Sequence, residues 1–292
     1  MTVGSRFEKF LAALMLTSDQ QSDGSTKHTG VRQCLDAHYY GSYYAGNGFL
    51  VGSWGKSTEI RPPRDIDIMF ALPKEVYDRF QTRPGNKQSQ LLQEVKAVLQ
   101  RTYQNTEMRG DGQVVVVPFV SYAVEVAPAF FLQNGQYFIC DTNAGGSYKT
   151  VDPKAEIANV KQSNDTTNGN TRDLIRMMKR WQEYCNVELR SFLIELLSIE
   201  FLASWQHRGN STVYYDYMVR DFFYFLKNKS QWSSVTVPGT HESILLGNTG
   251  WQSRAETAYD RAVKACEHEA QNRPYSAADE WQKIFGTDIP SG

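Results

Sequence analysis

The sequence lacks the glycine-rich motifs of two large classes of nucleotide-binding proteins. It contains neither a GxxxxGK[ST] nor a GxGxxG pattern, which argues against P-loop kinases and Rossmann dehydrogenases. Cysteine is also scarce. The 292 residues include four cysteines, and none of them forms a CxxC pair or lies near a histidine at the spacing of zinc ligands. We therefore expect free thiols, and neither a disulfide scaffold nor a zinc site.

Long apolar runs and an excess of basic charge are missing as well. No apolar run approaches the roughly 18 residues of a membrane span, and the amino terminus does not resemble a secretory signal. The formal net charge is −1 and the sequence pI is about 6.5, so the chain lacks the overall basic balance of a protein that binds nucleic acid tightly and non-specifically. We expect a cytoplasmic protein with no membrane contact and no nucleic-acid template.

The sequence pattern changes near residue 160. Before that point, apolar spacing predicts a mixture of helices and strands, and after it the pattern is almost entirely helical. The first part is predicted to contain helices over 5–17, 31–40 and 86–103, a polar loop over 18–30, and strands within 49–53, 65–72, 114–120, 122–130 and 136–140. The polar segment 161–170 is interpreted as a linker or long loop. The helices that follow it are predicted over 171–184, 190–206, 214–229, 254–270 and 276–285.

Two aspartates stand out in the strand "DIDIMFAL". Residues two apart on a strand point to the same face, so Asp65 and Asp67 should present their carboxylates side by side while Ile66 and Ile68 pack behind them. Like charges this close raise each other's pKa unless a cation lies between them, and ligands that are all oxygen suit Mg²⁺ or Mn²⁺. The alternative is that both aspartates face water on an edge strand.

Two further features favour a metal site. Gly52 and Ser53 follow a short strand, where a glycine lets the backbone approach a phosphate and where N–H groups and a hydroxyl can bind it. Glu125 lies in the otherwise apolar strand "YAVEVAPAF", and a buried carboxylate is costly unless it is paired or binds a cation. A phosphate-binding turn, a carboxylate pair and a third acid are the parts needed for two-metal nucleotidyl transfer.

The segments "GSWGKSTEIRPPRDIDI", "VEVAPAF", "RDLIRMMKRWQEY", "SFLIELL" and "EWQKIFGTDIP" resemble, in that order, the CD-NTase family. These are the bacterial cGAS/DncV-like nucleotidyltransferases of the polymerase-β-like superfamily. The resemblance implies an α+β nucleotidyltransferase fold with a mixed β-sheet core flanked by helices, a C-terminal helical bundle, and an active site in the cleft between them. It divides the chain into a nucleotidyltransferase core with N-terminal helices over residues 1–160 and a helical domain over 161–292.

The resemblance also implies roles for single residues. Asp65 and Asp67 match the metal-binding pair of the family, and Glu125 matches its third acid, which is usually an aspartate. The remaining matches are to residues that hold the triphosphate: Gly52, Ser53, Lys179 and Ser191. Without the resemblance, Lys179 would be interpreted as part of a solvated helix face, and Ser191 as a helix N-cap or first-turn residue. The aromatic residues of 213–225 are interpreted mainly as core, and the five histidines receive no catalytic role.

The implied activity is template-independent condensation of ATP or other nucleoside triphosphates, with Mg²⁺ or Mn²⁺, into a cyclic di- or trinucleotide. In the family such a product activates a separate effector in anti-phage defence (CBASS), and partner proteins bind or conjugate the carboxyl terminus of some members. The tail "GTDIPSG", which ends at Gly292, permits such a regulatory partner but does not argue for one. Two alternatives remain open. One is a non-cyclising transferase that modifies RNA, protein or a small molecule, and the other is a catalytically dead nucleotide-binding module in which Glu125 fails to seat the metal.

Overall fold

The computed structural model describes residues 1–43 and 46–291. Within these residues the strands are β1 (Gly48–Leu50), β2 (Asp65–Ala71), β3 (Arg109–Asp111), β4 (Val114–Pro118), β5 (Ala123–Phe131), β6 (Tyr137–Asp141), β7 (Ser147–Val151), β8 (Ser234–Thr236) and β9 (Ser243–Leu245). The α-helices are α1 (Val3–Leu14), α2 (Ser18–Tyr40), α3 (Gly52–Lys56), α4 (Lys74–Gln81), α5 (Lys87–Thr102), α6 (Pro153–Thr166), α7 (Asn170–Tyr184), α8 (Ser191–Ser204), α9 (Tyr215–Lys227), α10 (Trp251–Ala270) and α11 (Pro274–Phe285).

Seven strands form one mixed sheet, which confirms the α+β class. The sheet runs β1-β2-β5-β4-β3, with β6 paired to β5 and β7 paired to β6. β2 and β5 are parallel, and the other strand pairs in this sheet are antiparallel. The parallel pair lies at the centre of the sheet, so it brings together two strands that are distant in sequence.

Two large hydrophobic cores and a small third cluster that includes Met69 and Ile139 stabilise the described part of the chain. Of the two large cores, the first lies between the sheet and helices α2, α4 and α5, and the second joins α7 to α11. α1 packs in the second core, because its buried Phe7, Phe10 and Leu14 contact the later helices rather than the sheet. By its packing, α1 therefore belongs with the helices of the second half. The domain boundary at residue 160 stays a prediction.

The predicted loop over 18–30 is wrong, because these residues form the first half of α2. The helix begins with a capping box in which Thr17 and Gln20 satisfy each other's backbone N–H groups. Gly24 supports it by close packing, since a Cβ atom there would lie 2.4 Å from the ring of Trp54. The segment is therefore helical, although its own apolar pattern is weak, because contacts with another helix and with the sheet stabilise the helix.

The predicted linker over 161–170 is also wrong. α6 continues to Thr166, and α7 begins at Asn170 after a three-residue turn in which Asn168 and Gly169 have positive φ angles. The phosphate-binding turn predicted at Gly52 and Ser53 is the start of a five-residue helix, α3. In the second half, the β8-β9 hairpin interrupts the helices, and the sequence analysis did not predict it. Among the described helices, none combines the length and apolar character of a membrane-spanning segment.

Candidate active site

The two central strands bring three acidic residues together. Asp67 on β2 is directly opposite Glu125 on β5, and Asp65 precedes Asp67 on the same face. Ile66 and Ile68 point to the other face and are fully buried. One carboxylate oxygen from each of Asp65, Asp67 and Glu125 lies within 4.8 Å of those of the other two. The predicted convergence of the three acids is therefore confirmed as geometry.

The electrostatics of this triad favour a bound cation. Burial, followed by repulsion from Asp65 and Glu125, raises the pKa of Asp67 to about 7, although Lys56 and Lys179 partly offset the shift. Burial and the charge of Asp65 also raise the pKa of Glu125. A divalent ion among the three carboxylates would remove this repulsion, and a set of oxygen ligands suits Mg²⁺ or Mn²⁺. The residues present therefore fit the metal that the resemblance implies.

Gly52 lies against the triad at the start of α3. The backbone N–H of Val51 donates to the carbonyl of Asp67 at 2.9 Å, which fixes β1 beside β2. Gly52 has a φ of +55°, and a Cβ atom at this position would lie 1.9 Å from Oδ2 of Asp67. Both the backbone conformation and the space therefore require glycine. Ser53 follows directly and lines the same cavity.

Lys179 and Ser191 approach the cavity from the helical half. Lys179 is only 8% exposed, so the alternative that it belongs to a solvated helix face is wrong. Its Nζ donates to Oε1 of Glu195 at 3.0 Å, to Oγ1 of Thr58 at 3.0 Å and to the carbonyl of Thr58 at 3.2 Å. Ser191 lies in the first turn of α8, where its hydroxyl donates to Oε1 of Gln182 at 2.9 Å.

A buried ionic cluster beneath these residues was missed by the sequence analysis. Lys56, at the end of α3, pairs with Oε2 of Glu195 at 2.9 Å and with Glu156 at 3.0 Å. Glu195 thus joins Lys56 and Lys179 through its two carboxylate oxygens. One signal could have revealed it: Glu195 interrupts the apolar run "SFLIELL", the same kind of signal that singled out Glu125.

All seven predicted site residues line one cavity of about 440 Å³ between the sheet and the helices. The lining includes the acids and the lysines, and also five apolar residues, Met69, Ala127, Ile139, Val151 and Pro153. Met69 and Ala127 lie two residues beyond Asp67 and Glu125 on β2 and β5, so they share the face of the sheet that carries the acids. The cavity can therefore accommodate a ligand with an anionic part and a flat apolar part. The stretch 213–225 contributes buried core residues and does not line the cavity, and none of the histidines in the described ranges lines it.

Comparison with known proteins agrees with this geometry. The Second Messenger Oligonucleotide or Dinucleotide Synthetase domain (SMODS) matches residues 1–164. A probable cyclic nucleotide synthase of Bacillus cereus (strain VD146) is 22% identical over 284 residues, which cover 85% of this chain and 84% of that protein.

Similar solved structures extend over nearly the whole chain. CdnC of E. coli MS115-1 with ATP has a TM-score of 0.70 at 17% identity and covers 98% of both chains. The same protein in complex with HORMA-deltaN has a TM-score of 0.68 at 18% identity, with the same coverage. The cyclic AMP-GMP synthase DncV of Vibrio cholerae with the linear intermediate 5′ pppA(3′,5′)pG has a TM-score of 0.67 at 15% identity and covers 98% of this chain and 87% of that one. The family domain matches more than half of the residues, and the chain therefore belongs to the SMODS domain family of CD-NTases.

Proposed function

We propose that the protein condenses nucleoside triphosphates, without a template, into a cyclic di- or trinucleotide and releases pyrophosphate. The observation that carries this proposal is the convergence of three carboxylates beside Gly52, whose missing side chain lets the backbone lie directly against the carboxylate of Asp67. Similarity to proteins described as a cyclic nucleotide synthase and a cyclic AMP-GMP synthase supports the choice of product.

Asp65, Asp67 and Glu125 would hold the metal, Mg²⁺ or Mn²⁺. When bound there, a pair of such ions lowers the pKa of an attacking hydroxyl and stabilises the charge of the leaving pyrophosphate. Gly52 and Ser53 of α3 would bind the triphosphate together with Lys179 of α7 and Ser191 of α8. Held by these residues, the α-phosphorus faces the hydroxyl in one orientation, which lowers the entropic part of the barrier.

A direct assay tests this proposal. Purified protein is incubated with labelled ATP, GTP, CTP and UTP and with Mg²⁺ or Mn²⁺, and both pyrophosphate and phosphatase-resistant products are measured. We expect pyrophosphate release and a product whose mass is that of a cyclic oligonucleotide. Asp67→Asn should abolish both, whereas Asp260→Asn, at an exposed site on α10, should change neither.

Three other outcomes would contradict the proposal. A product that forms only when RNA, a protein or a small molecule is added would identify a non-cyclising transferase. Nucleotide binding in calorimetry with no pyrophosphate release would identify a nucleotide-binding module without catalysis. Activity that survives the loss of Asp65 or Asp67 would place the chemistry elsewhere.

We further propose that the cyclic product activates a separate effector in anti-phage defence, in the cytoplasm, and that a regulatory protein binds this chain. A complex of E. coli CdnC with HORMA-deltaN supports the last point. The carboxyl-terminal segment is packed as far as Ile289, which is fully buried, so a partner that contacts Ile289 must first detach this segment. Gly292 lies outside the described residues, and whether it is conjugated to a partner is a question for experiment. Co-expression with candidate HORMA partners and mass spectrometry of the carboxyl terminus would test both points.

A further inference from the structure

Three basic residues line the cavity among the residues that the structure describes, and two of them are already engaged. An ammonium group has three N–H donors, and Lys179 directs its donors to three acceptors, on Thr58 and Glu195. Lys56 is 3% exposed, pairs with Glu195 and Glu156, and lies 4.5 Å from the ring centre of Phe192. Either lysine can bind a phosphate only by giving up a contact of this buried cluster.

Arg64 is the third basic residue, and its situation is different. Its side chain is 59% exposed and, within residues 1–43 and 46–291, makes one ion pair, from Nη2 to Oε1 of Glu183 at 3.1 Å. A guanidinium carries five N–H donors, so donors remain for a ligand. Arg64 directly precedes Asp65, and its carbonyl accepts a hydrogen bond from the N–H of Ala123 at 3.2 Å. Its backbone is therefore fixed where β2 and β5 begin, beside the acidic triad.

Glu183 restricts where the Arg64 side chain can lie. Its side chain is 25% exposed, and its other oxygen, Oε2, lies 3.5 Å from Nη1 of Arg180. Arg180 is in turn held by Oδ2 of Asp288 at 2.7 Å and by the carbonyl of Phe285 at 3.2 Å. The carboxylate that pairs with Arg64 is thus anchored to α7 and to the carboxyl-terminal segment, so it reduces the number of orientations open to the guanidinium.

We propose that Arg64 is a phosphate-binding residue for the nucleoside triphosphate and that Glu183 is its positioning residue. The proposal rests on the proposed function, since it assigns the substrate of the same cavity. A planar guanidinium binds phosphate oxygens through two parallel hydrogen bonds, which a lysine cannot do. The exposed position also lets Arg64 meet the triphosphate at the cavity entrance before the buried lysines do.

The test measures binding and turnover separately. Wild type, Arg64→Ala, Arg64→Lys and the control Arg101→Ala, at an exposed site on α5 outside the cavity, are compared by calorimetry with Mg²⁺ and non-hydrolysable nucleoside triphosphate analogues. KM and kcat are taken from pyrophosphate release. We expect Arg64→Ala to raise both Kd and KM roughly tenfold with an unchanged Tm, Arg64→Lys to recover part of this loss, and Arg101→Ala to match wild type.

Two further readouts separate phosphate binding from a structural role. The difference in Kd between wild type and Arg64→Ala should shrink as salt rises from about 0.05 M to about 0.5 M, because charge interactions at exposed sites are screened. Glu183→Gln should raise KM in the wild-type background and have little effect in the Arg64→Ala background. If its effect is the same in both backgrounds, the positioning role of Glu183 is wrong.

The inference and the proposed function fail in different ways. If wild type turns over substrate and Arg64→Ala has the same Kd and KM, Arg64 does not bind phosphate, and the proposed function is unaffected. If wild type binds analogue but releases no pyrophosphate, the proposed function fails, while the Kd values still decide the role of Arg64. If wild type neither binds nor turns over nucleotide, both are wrong.

Discussion

Replacing Asp67 by asparagine should make the metal-free protein more stable. The pKa of Asp67 rises from 3.8 to about 7 in the folded state, because the carboxylate is buried next to Asp65 and Glu125. The folded state therefore binds more protons than the unfolded state between these two pH values, and the contribution of Asp67 to stability falls as pH rises through this window. One pKa unit corresponds to about 1.36 kcal/mol, so the charged carboxylate costs up to about 4 kcal/mol above pH 7.

Asparagine keeps the shape of the side chain and removes the charge. Because neighbouring side chains relax and water reaches part of the site, we expect Asp67→Asn to gain about 1 to 3 kcal/mol at pH 8 and little at pH 4. Chemical unfolding in EDTA at several pH values measures this difference, with Asp260→Asn as the control at an exposed aspartate. At a Mg²⁺ concentration of about ten times its Kd, wild type should gain about 1.4 kcal/mol, and Asp67→Asn much less.

Two results would refute this reasoning. If Asp67→Asn is less stable than wild type at pH 8 without metal, the carboxylate is not repelled by its neighbours, and the site does not require a cation. If both proteins show the same dependence of unfolding free energy on pH, Asp67 does not titrate in the window that its surroundings imply.

Four other predictions concern the surroundings of the triad and the packing of the termini. Gly52→Ala should reduce pyrophosphate release by more than about a hundredfold and the free energy of unfolding by about 1 to 2 kcal/mol. The reasons are that the new Cβ atom would overlap Asp67 and that the φ angle at this position is positive. Gly209→Ala, at an open site, is the control. Glu195→Ala should lower the free energy of unfolding in urea by about 3 to 5 kcal/mol, because it leaves two lysines buried without their shared carboxylate. The control is Glu200→Ala, at an exposed site on the same helix, which should cost less than about 1 kcal/mol. Arg6→Met should lower the free energy of unfolding by about 2 to 4 kcal/mol and make the carboxyl-terminal segment sensitive to proteolysis, because Arg6 donates to the carbonyls of Pro274 and Pro290. The control Lys9→Met, on the exposed face of α1, should have neither effect. Adding EDTA should weaken nucleotide binding in calorimetry by more than about tenfold, and equal affinity with and without metal would contradict the role of the triad.

The strand that carries the aspartates was predictable because its information is local. The two-residue repeat of a strand determines that Asp65 and Asp67 share a face, and the apolar neighbours of Glu125 mark it as a residue with a special reason to be there. That β5 pairs with β2 in the register that joins Glu125 to Asp67 is a tertiary fact. The resemblance to a family implied that Glu125 joins the two aspartates, whereas the strand pairing and its register come from the structure.

The errors arose where distant contacts decide the structure. The segment 18–30 is polar and contains two glycines, so its local pattern favours a loop, yet it is helical because Gly24 lets α2 approach Trp54 closely. The pairing of Lys56 with Glu195 joins residues 139 positions apart in sequence. Periodicity describes only near neighbours along the chain, so it cannot reveal a partner at such a distance.

The acidic residues proposed to bind metal destabilise the folded protein when they are charged and no cation is bound. Six carboxylates and three basic residues line it, so the described lining has a formal excess of three negative charges. Glu195 already neutralises much of the charge of Lys56 and Lys179, which leaves the repulsion among Asp65, Asp67 and Glu125 largely uncompensated. A triphosphate alone would add to this repulsion, whereas a triphosphate together with divalent cations would relieve it. The protein therefore keeps an unfavourable cluster of charge in its folded state, and substrate binding with metal can recover the free energy that this cluster costs.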